Sequence, residues 1–257
     1  MPIEAPAPAP QSVRFLDIDF SILSFEDVVA AIRSLSKGER FSYVVTPNVD
    51  HVVNLNPREP SARSRAFKQA YDAAALRLCD SRILRMIGRR LGADLPVVTG
   101  SDLTLRLFNG FFTSGDKVAI VGGREDTVSR LGARFPGPAY VQHLPPMGVL
   151  ENVSAQEAIA EFIGAEAPDF VLFAIGAPQS EIVAHRCAQM PLRGVGLCIG
   201  ASIDFLLGDR KRAPVWMRRL SLEWLFRLGS EPARLWRRYL VDGPRIFAIA
   251  LRHRSRG

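Results

Sequence analysis

The sequence predicts an α/β fold: a parallel sheet with helices on both faces, followed by a basic helical appendage. Three observations carry this. The runs 117–121 (KVAIV), 169–175 (DFVLFAI) and 194–199 (GVGLCI) are apolar almost throughout, as strands buried on both faces are. Each ends in a small-residue turn (Gly122-Gly123, Gly176-Ala177-Pro178, Gly200-Ala201), and segments of helical spacing separate them. Strand, glycine turn and helix in repetition is the pattern of crossover-connected parallel strands. Finally, residues 210–257 hold thirteen Lys/Arg against three acids, whereas the whole chain of 257 residues has a net charge of +7. The body is therefore mildly acidic, and the basic character belongs to the C-terminal segment.

The elements follow in order. Residues 15–20 (FLDIDF) alternate and read as one strand. Residues 24–35 have helical spacing, with Ser24 as N-cap. Residues 41–45 (FSYVV) form a strand ended by Thr46-Pro47-Asn48, and 49–55 continue as helix or loop. A break at 57–61 precedes a helix over 63–75. The short strand 76–79 delivers Asp80 at its C-terminal end, and a helix over 81–91 is closed by Gly92. Ser101 caps a helix over 101–112. In the second half, helices are expected over 125–135, 154–166 and 180–190, and a strand over 139–142. Ser154 and Glu157 have the spacing of a capping box. Asp204 is placed in a loop after the last strand.

Composition narrows the class. A hydrophobic content of 47% marks a globular chain. Three dispersed cysteines without CxxC spacing argue against a disulfide framework or zinc site and fit a reducing cytoplasm. Residues 1–14 read as a disordered Pro/Ala tail, 15–208 as the α/β domain and 209–257 as the appendage. No run approaches the ~18–20 apolar residues of a membrane span. The appendage nevertheless carries apolar stripes between arginines: Met217, Leu220, Trp224 and Leu228, then Leu235, Trp236, Tyr239 and Leu240, then Ile246, Phe247, Ala250 and Leu251. Basic amphipathic helices with Trp and Phe suit a membrane interface. The plainer alternative is that the stripes pack on the body.

In parallel sheets ligands bind at the carboxyl ends of the strands. That rule gathers Thr46, Asn48, Asp80, Gly122, Gly123, Arg124, Gly176, Pro178, Gln179, Ser180, Glu181, Gly200 and Asp204 on one rim. Glycine turns there let backbone N–H groups approach a phosphate, with Arg124 adding charge, or they are only tight connections. Asp80 is either a helix N-cap or a general base. The Asp17-Ile18-Asp19 triplet resembles a metal-binding DxD, but it lies inside an alternating strand and reads as coincidence. The four histidines show no metal spacing, although His51 lies near the Thr46-Pro47-Asn48 turn.

The segments VVTPNVDHV, RLCDSRIL, LPVVTGSDL, VAIVGGRED, DFVLFAIGAPQSE, IGASIDFLLGDRKRAP and LEWLFRLGSEPARLWRRYL, in this order, resemble the WecG/TagA/CpsF family of bacterial glycosyltransferases (glycosyltransferase family 26) over residues 15–240. The resemblance implies a Rossmann-like fold. It implies an inverting, metal-independent transfer from a UDP-sugar to a polyprenyl-diphosphate-linked sugar in cell-surface or exopolysaccharide biosynthesis. No cofactor is expected. The place of work is the inner face of the cytoplasmic membrane, bound peripherally to anionic lipid, with homo-oligomerisation left open. Asp80 is then the base that deprotonates the acceptor hydroxyl, beside Thr46 and Asn48. Gly122, Gly176 and Asp204 hold the nucleotide, and one or more of Arg210, Arg212, Arg227, Arg234, Arg237 and Arg238 are expected to reach the diphosphate when the appendage folds over the site. The chain departs from the family pattern at three places: Asp80-Ser81 replaces an acid-glycine pair, Ser180 takes a glutamine position with Gln179 beside it, and Val97 stands for an arginine. Two other classes remain in view: a non-catalytic membrane scaffold, and a nucleotide- or RNA-binding protein. The second is disfavoured because the tail aromatics lie on apolar helical faces rather than on a stacking platform.

Overall fold

The computed structural model describes residues 11–220 and 222–254. It opens with a hairpin, β1 (Ser12–Phe15) and β2 (Ile18–Ser21), paired antiparallel. The single strand expected over 15–20 is thus two strands. Leu16 and Asp17 form the turn between them with φ of 49° and 61°, both in the left-handed region. Leu16 is buried, as are Phe15, Ile18 and Phe20, so the turn carries none of the usual glycine or asparagine signal. Ser12, Val13 and Arg14 belong to β1, which shortens the expected tail; the rest of it, up to Pro10, lies outside the described residues.

The chain continues through α1 (Phe25–Ser36), β3 (Ser42–Val45), α2 (Val49–Leu55), α3 (Ala62–Ala73), β4 (Leu76–Arg77), α4 (Arg82–Arg90) and α5 (Gly100–Phe108). Then come β5 (Lys117–Gly122), α6 (Thr127–Arg134), β6 (Ala139–His143), α7 (Val153–Glu166), β7 (Phe170–Ala174), α8 (Gln179–Ala188), β8 (Val195–Cys198) and α9 (Ser202–Leu207). Two caps differ from expectation. Thr99, not Ser101, accepts from Asp102 N–H at the start of α5, and Asn152, not Ser154, accepts from Ala155 N–H at the start of α7. Glu157 is therefore not in a capping box and pairs instead with Arg186 at 3.1 Å. Asp204 lies within α9 rather than in a loop.

Six strands form one sheet in the order β4-β3-β8-β7-β5-β6, every pair parallel. Alternate residues feed two cores. Val45, Val121, Phe173 and Cys198 face α2, α3, α7 and α8, while Val44, Ile120, Leu172 and Leu197 face α1, α5 and α9. Both faces are buried, which is why the strands read as continuous apolar runs. The fold is a Rossmann-like α/β sheet.

The connections fix where a site opens. β3 and β8 are neighbours, yet β3 leads into α2 on one face and β8 into α9 on the other. Two outgoing chains that part to opposite faces leave a crevice at the carboxyl ends of those strands.

The C-terminal segment forms α10 (Val215–Arg219), α11 (Glu223–Ser230), α12 (Pro232–Trp236), a π-helical stretch (Arg237–Asp242) and α13 (Arg245–Arg254). Ile246 and Ala250 of α13 are buried in the same core as Phe15 and Val52, and Leu235 of α12 is buried too. Arg245 also donates to the carbonyl of Asn56 at 3.0 Å. α13 thus shares the core of the body, while α11, α12, the π-helical stretch and α13 cover the crevice.

Candidate active site

The crevice is a cavity of about 800 Å³ between the carboxyl ends of the strands and the C-terminal helices. Thr46, Asn48, Asp80, Gly176, Glu181, Gly200 and Asp204 line it from the body. Arg210, Arg227, Arg234 and Arg238 line it from the C-terminal segment. Gly176 and Gly200 have φ of 78° and 54°, with open space where a Cβ would stand. Both lie in the left-handed region that glycine adopts without strain, and the bare backbone faces the cavity.

Other residues expected at the site lie outside the cavity lining. Gly122 and Gly123 are explained by packing. A Cβ on Gly122 would come within 2.8 Å of Ile175, and Thr127 Oγ1, 2.9 Å from a Cβ on Gly123, accepts from Arg124 N–H at 2.8 Å. Arg124 itself is exposed beside Asp126, although its charge reaches Asp204. Ser180 is buried and donates to the carbonyl of Phe173. Pro178 is the N-cap of α8, and Gln179 is its first residue. Arg212 donates to Ser101 and Asp102, both at 2.8 Å, and so straps the chain after α9 to the start of α5. Arg237 is exposed. Asp17 and Asp19 sit in the β1–β2 hairpin, each paired with Arg14.

Asp80 lines the cavity and does not cap a helix. Ser81 caps α4 by accepting from Leu84 N–H at 3.2 Å, so the Asp80 carboxyl is free of that duty. The backbone fixes its place: Asp80 N–H donates to the carbonyl of Pro47 at 2.9 Å, tying the end of β4 to the end of β3. Burial within the crevice pushes its carboxyl up to about 8. The charges of Glu223 and Asp102 add to the rise, and Arg227 and the backbone N–H of Gly100 oppose it. A carboxyl poised there changes protonation near neutral pH.

The surroundings are densely charged. Burial raises Glu181 to about 7, helped by Asp50. Asp50, on the first turn of α2, pairs with Arg238 at 3.3 Å. Arg210 bridges Asp204 at 3.0 Å and Glu231 at 2.7 Å, and Arg234 meets Glu231 at 2.6 Å. The Arg227 guanidinium lies 5.1 Å from the Phe205 ring centroid, over its face. His51 is a structural group. Burial pushes its imidazole down to about 3, the carbonyl of Thr46 bonds to it, and Tyr71 Oη lies 2.9 Å from Nδ1. A neutral His51 thereby fixes the turn that presents Thr46 and Asn48. The Thr46 hydroxyl donates to the carbonyl of Cys198 at 3.3 Å, and the Asn48 side chain accepts from the N–H groups of Asp50 and His51.

Sequence reasoning passed over Asp50, Glu223, Glu231 and Trp224 as site residues, and all four line the cavity. A helical-face reading hides them, since only the C-terminal fold turns Glu223, Trp224 and Glu231 inward.

A model of the Glycosyl transferase WecG/TagA/CpsF family matches residues 13–257. The chain belongs to that family. Among curated proteins it is 28% identical over 219 residues to the N-acetylglucosaminyldiphosphoundecaprenol N-acetyl-beta-D-mannosaminyltransferase of Bacillus spizizenii, covering 82% of this chain and 79% of that protein. For a WecG/TagA/CpsF glycosyltransferase, the arrangement supplies three things in one cavity: a carboxyl of raised pKa, bare backbone at two glycine turns, and arginines from a covering segment.

Proposed function

We propose that the chain is an inverting glycosyltransferase that moves a sugar from a UDP-sugar to a polyprenyl-diphosphate-linked acceptor at the inner face of the cytoplasmic membrane. The observation that carries this reading is Asp80: a carboxyl freed from capping, raised to about 8, inside a cavity that also holds four arginines. The similarity to a transferase whose name specifies a diphosphoundecaprenol-linked acceptor supports the acceptor class.

In this reaction the acceptor hydroxyl gives its proton to Asp80 as its oxygen attacks the anomeric carbon. The bond from that carbon to the phosphate oxygen breaks on the opposite face, and the electron pair leaves with UDP. Attack opposite the leaving group inverts the centre. The charge gathering on UDP is met by guanidinium groups and by backbone N–H groups at the Gly176 and Gly200 turns. Arg210 pairs with Asp204 and Glu231, and Arg234 with Glu231, so diphosphate binding exchanges carboxylate partners for phosphate ones. We assign no metal to this step.

Membrane attachment follows the same reading. Leu240 and Phe247 line the cavity, yet each is 55% exposed, which makes its mouth apolar where a prenyl chain would pass. Trp216, Leu220, Trp236 and Leu251 on the same segment are also exposed. This segment suits docking to an anionic leaflet. Thermal melts with a panel of UDP-sugars, run in chelator, test the donor. A selective rise in Tm with one UDP-sugar is expected. No stabilisation by any, or stabilisation only with added magnesium, would count against the donor or the metal-free step respectively.

A further inference from the structure

Glu181 stands apart in the cavity. It lies in the first turn of α8 and is 2% exposed, yet it lines the cavity. Its carboxyl takes a hydrogen bond from its own backbone N–H, while Oε2 has no partner. A buried polar oxygen left unpaired is costly, and such atoms are rare in folded proteins. Its surroundings differ from those of Asp80. Glu181 feels Asp50, whereas Asp80 feels Glu223, Arg227 and Asp102. At this end Asp50 is paired with Arg238 at 3.3 Å, while Arg210 and Arg234 are gathered around Asp204 and Glu231.

We propose that Glu181 binds the sugar ring of a substrate, its free Oε2 accepting a hydrogen bond from a ring hydroxyl or an acetamido N–H. The sugar then lies against Glu181, and the diphosphate lies with Arg210 and Arg234. The proposal rests on the glycosyltransferase reading above. A ring hydroxyl or acetamido group occurs on both the donor and the acceptor sugar, and a site that pairs with such a group loses much of its affinity for a ligand that cannot answer it.

The test uses the full chain with Glu181→Gln and Glu181→Asp. The first keeps the shape and replaces one acceptor oxygen by a donor. The second keeps the charge and withdraws it by one methylene. Calorimetric titrations use UDP, the UDP-sugar that most stabilises the wild-type chain, and a short-chain prenyl-diphosphate N-acetylglucosamine. UDP affinity is expected to stay within about twofold in both variants, because UDP carries no transferable sugar. Affinity for one sugar-bearing ligand should fall by about tenfold or more, within the range for leaving one buried group unpaired. Loss for the UDP-sugar assigns Glu181 to the donor ring, and loss for the prenyl-linked saccharide assigns it to the acceptor ring. Unchanged affinity for both would overturn the proposal, as would an equal loss for all three ligands. If the wild-type chain binds UDP but neither sugar-bearing ligand, the underlying reading fails, and this assignment with it.

Discussion

At the scale of single residues, the proposed reaction turns on Asp80. Asp80→Asn keeps the size and removes the proposed base. Melting and UDP binding should persist, while transfer falls by about a hundredfold or more. Unchanged turnover would remove Asp80 from the mechanism. Its neighbours set the pH at which it works. A base must be ionised, so kcat/KM should rise with pH through a midpoint near the carboxyl's value of about 8. Glu223 holds that value up, so Glu223→Gln should move the rise to lower pH. Arg227 holds it down, so Arg227→Gln should move it higher. A profile that ignored both substitutions would place the titrating group elsewhere. Stability carries the opposite sign from that of a salt-bridged carboxylate, whose pKa is lowered by its partner. The folded state keeps a proton on Asp80 that the unfolded chain releases near its ordinary value of 3.8, so stability falls as pH rises from about 4 to about 8. Asp80→Asn deletes this slope. Its Tm relative to wild type should therefore climb between pH 5 and pH 8.5, and a constant difference across that range would refute the linkage.

At the scale of elements, the parts that the sequence shows plainly are those with one dominant cause. The continuous runs of β5, β7 and β8 are visible because both faces are buried. The delivery of Thr46, Asn48 and Asp80 to one rim follows from parallel topology alone. What hides is set by tertiary choice. The Leu16-Asp17 turn is masked because a buried leucine occupies it. The cap of α5 falls on Thr99 although Ser101 is an equally good residue type. The Gly122-Gly123 turn has the look of a phosphate cradle, but its glycines are explained by Ile175 and Thr127. The inward faces of α11 and α12 become identifiable only once α13 is seen to anchor the segment. That anchor is testable. Ile246 is 1% exposed in the shared core, so Ile246→Ala should cost about 2–5 kcal/mol in denaturant unfolding. Because α13 shares its core with β1 and α2, one cooperative transition shifted to lower denaturant is expected. Two separate transitions would show a C-terminal segment that folds on its own.

At the scale of the whole molecule, charge and exposed apolar surface are divided along the chain. Residues 210–257 hold thirteen Lys/Arg and three acids, and the body before them is mildly acidic. Within the same segment Trp216, Leu220, Trp236 and Phe247 are 59%, 63%, 48% and 55% exposed, while Trp224 turns into the cavity and lies 6.1 Å from Tyr239 between ring centroids. Removing the segment would not isolate its surface role, because Leu235, Ile246 and Ala250 would leave the core with it. Substituting exposed side chains does isolate it. A chain carrying Trp216→Ser, Leu220→Ser, Trp236→Ser and Leu251→Ser loses apolar surface that the fold leaves in water, so its melting should stay close to wild type. Its retention on anionic vesicles should drop sharply, since a bilayer gains from burying these groups and from roughly 1 kcal/mol per basic residue near the headgroups. The electrostatic share is separable: raised salt should weaken wild-type binding to anionic vesicles, and neutral vesicles should bind less at any salt. Transfer to a water-soluble acceptor analogue should survive the four substitutions better than transfer to a vesicle-borne acceptor, because only the second reaction needs the surface. Wild-type retention by the fourfold variant would remove this face from membrane docking and leave its exposed aromatics without a role in reaching the acceptor.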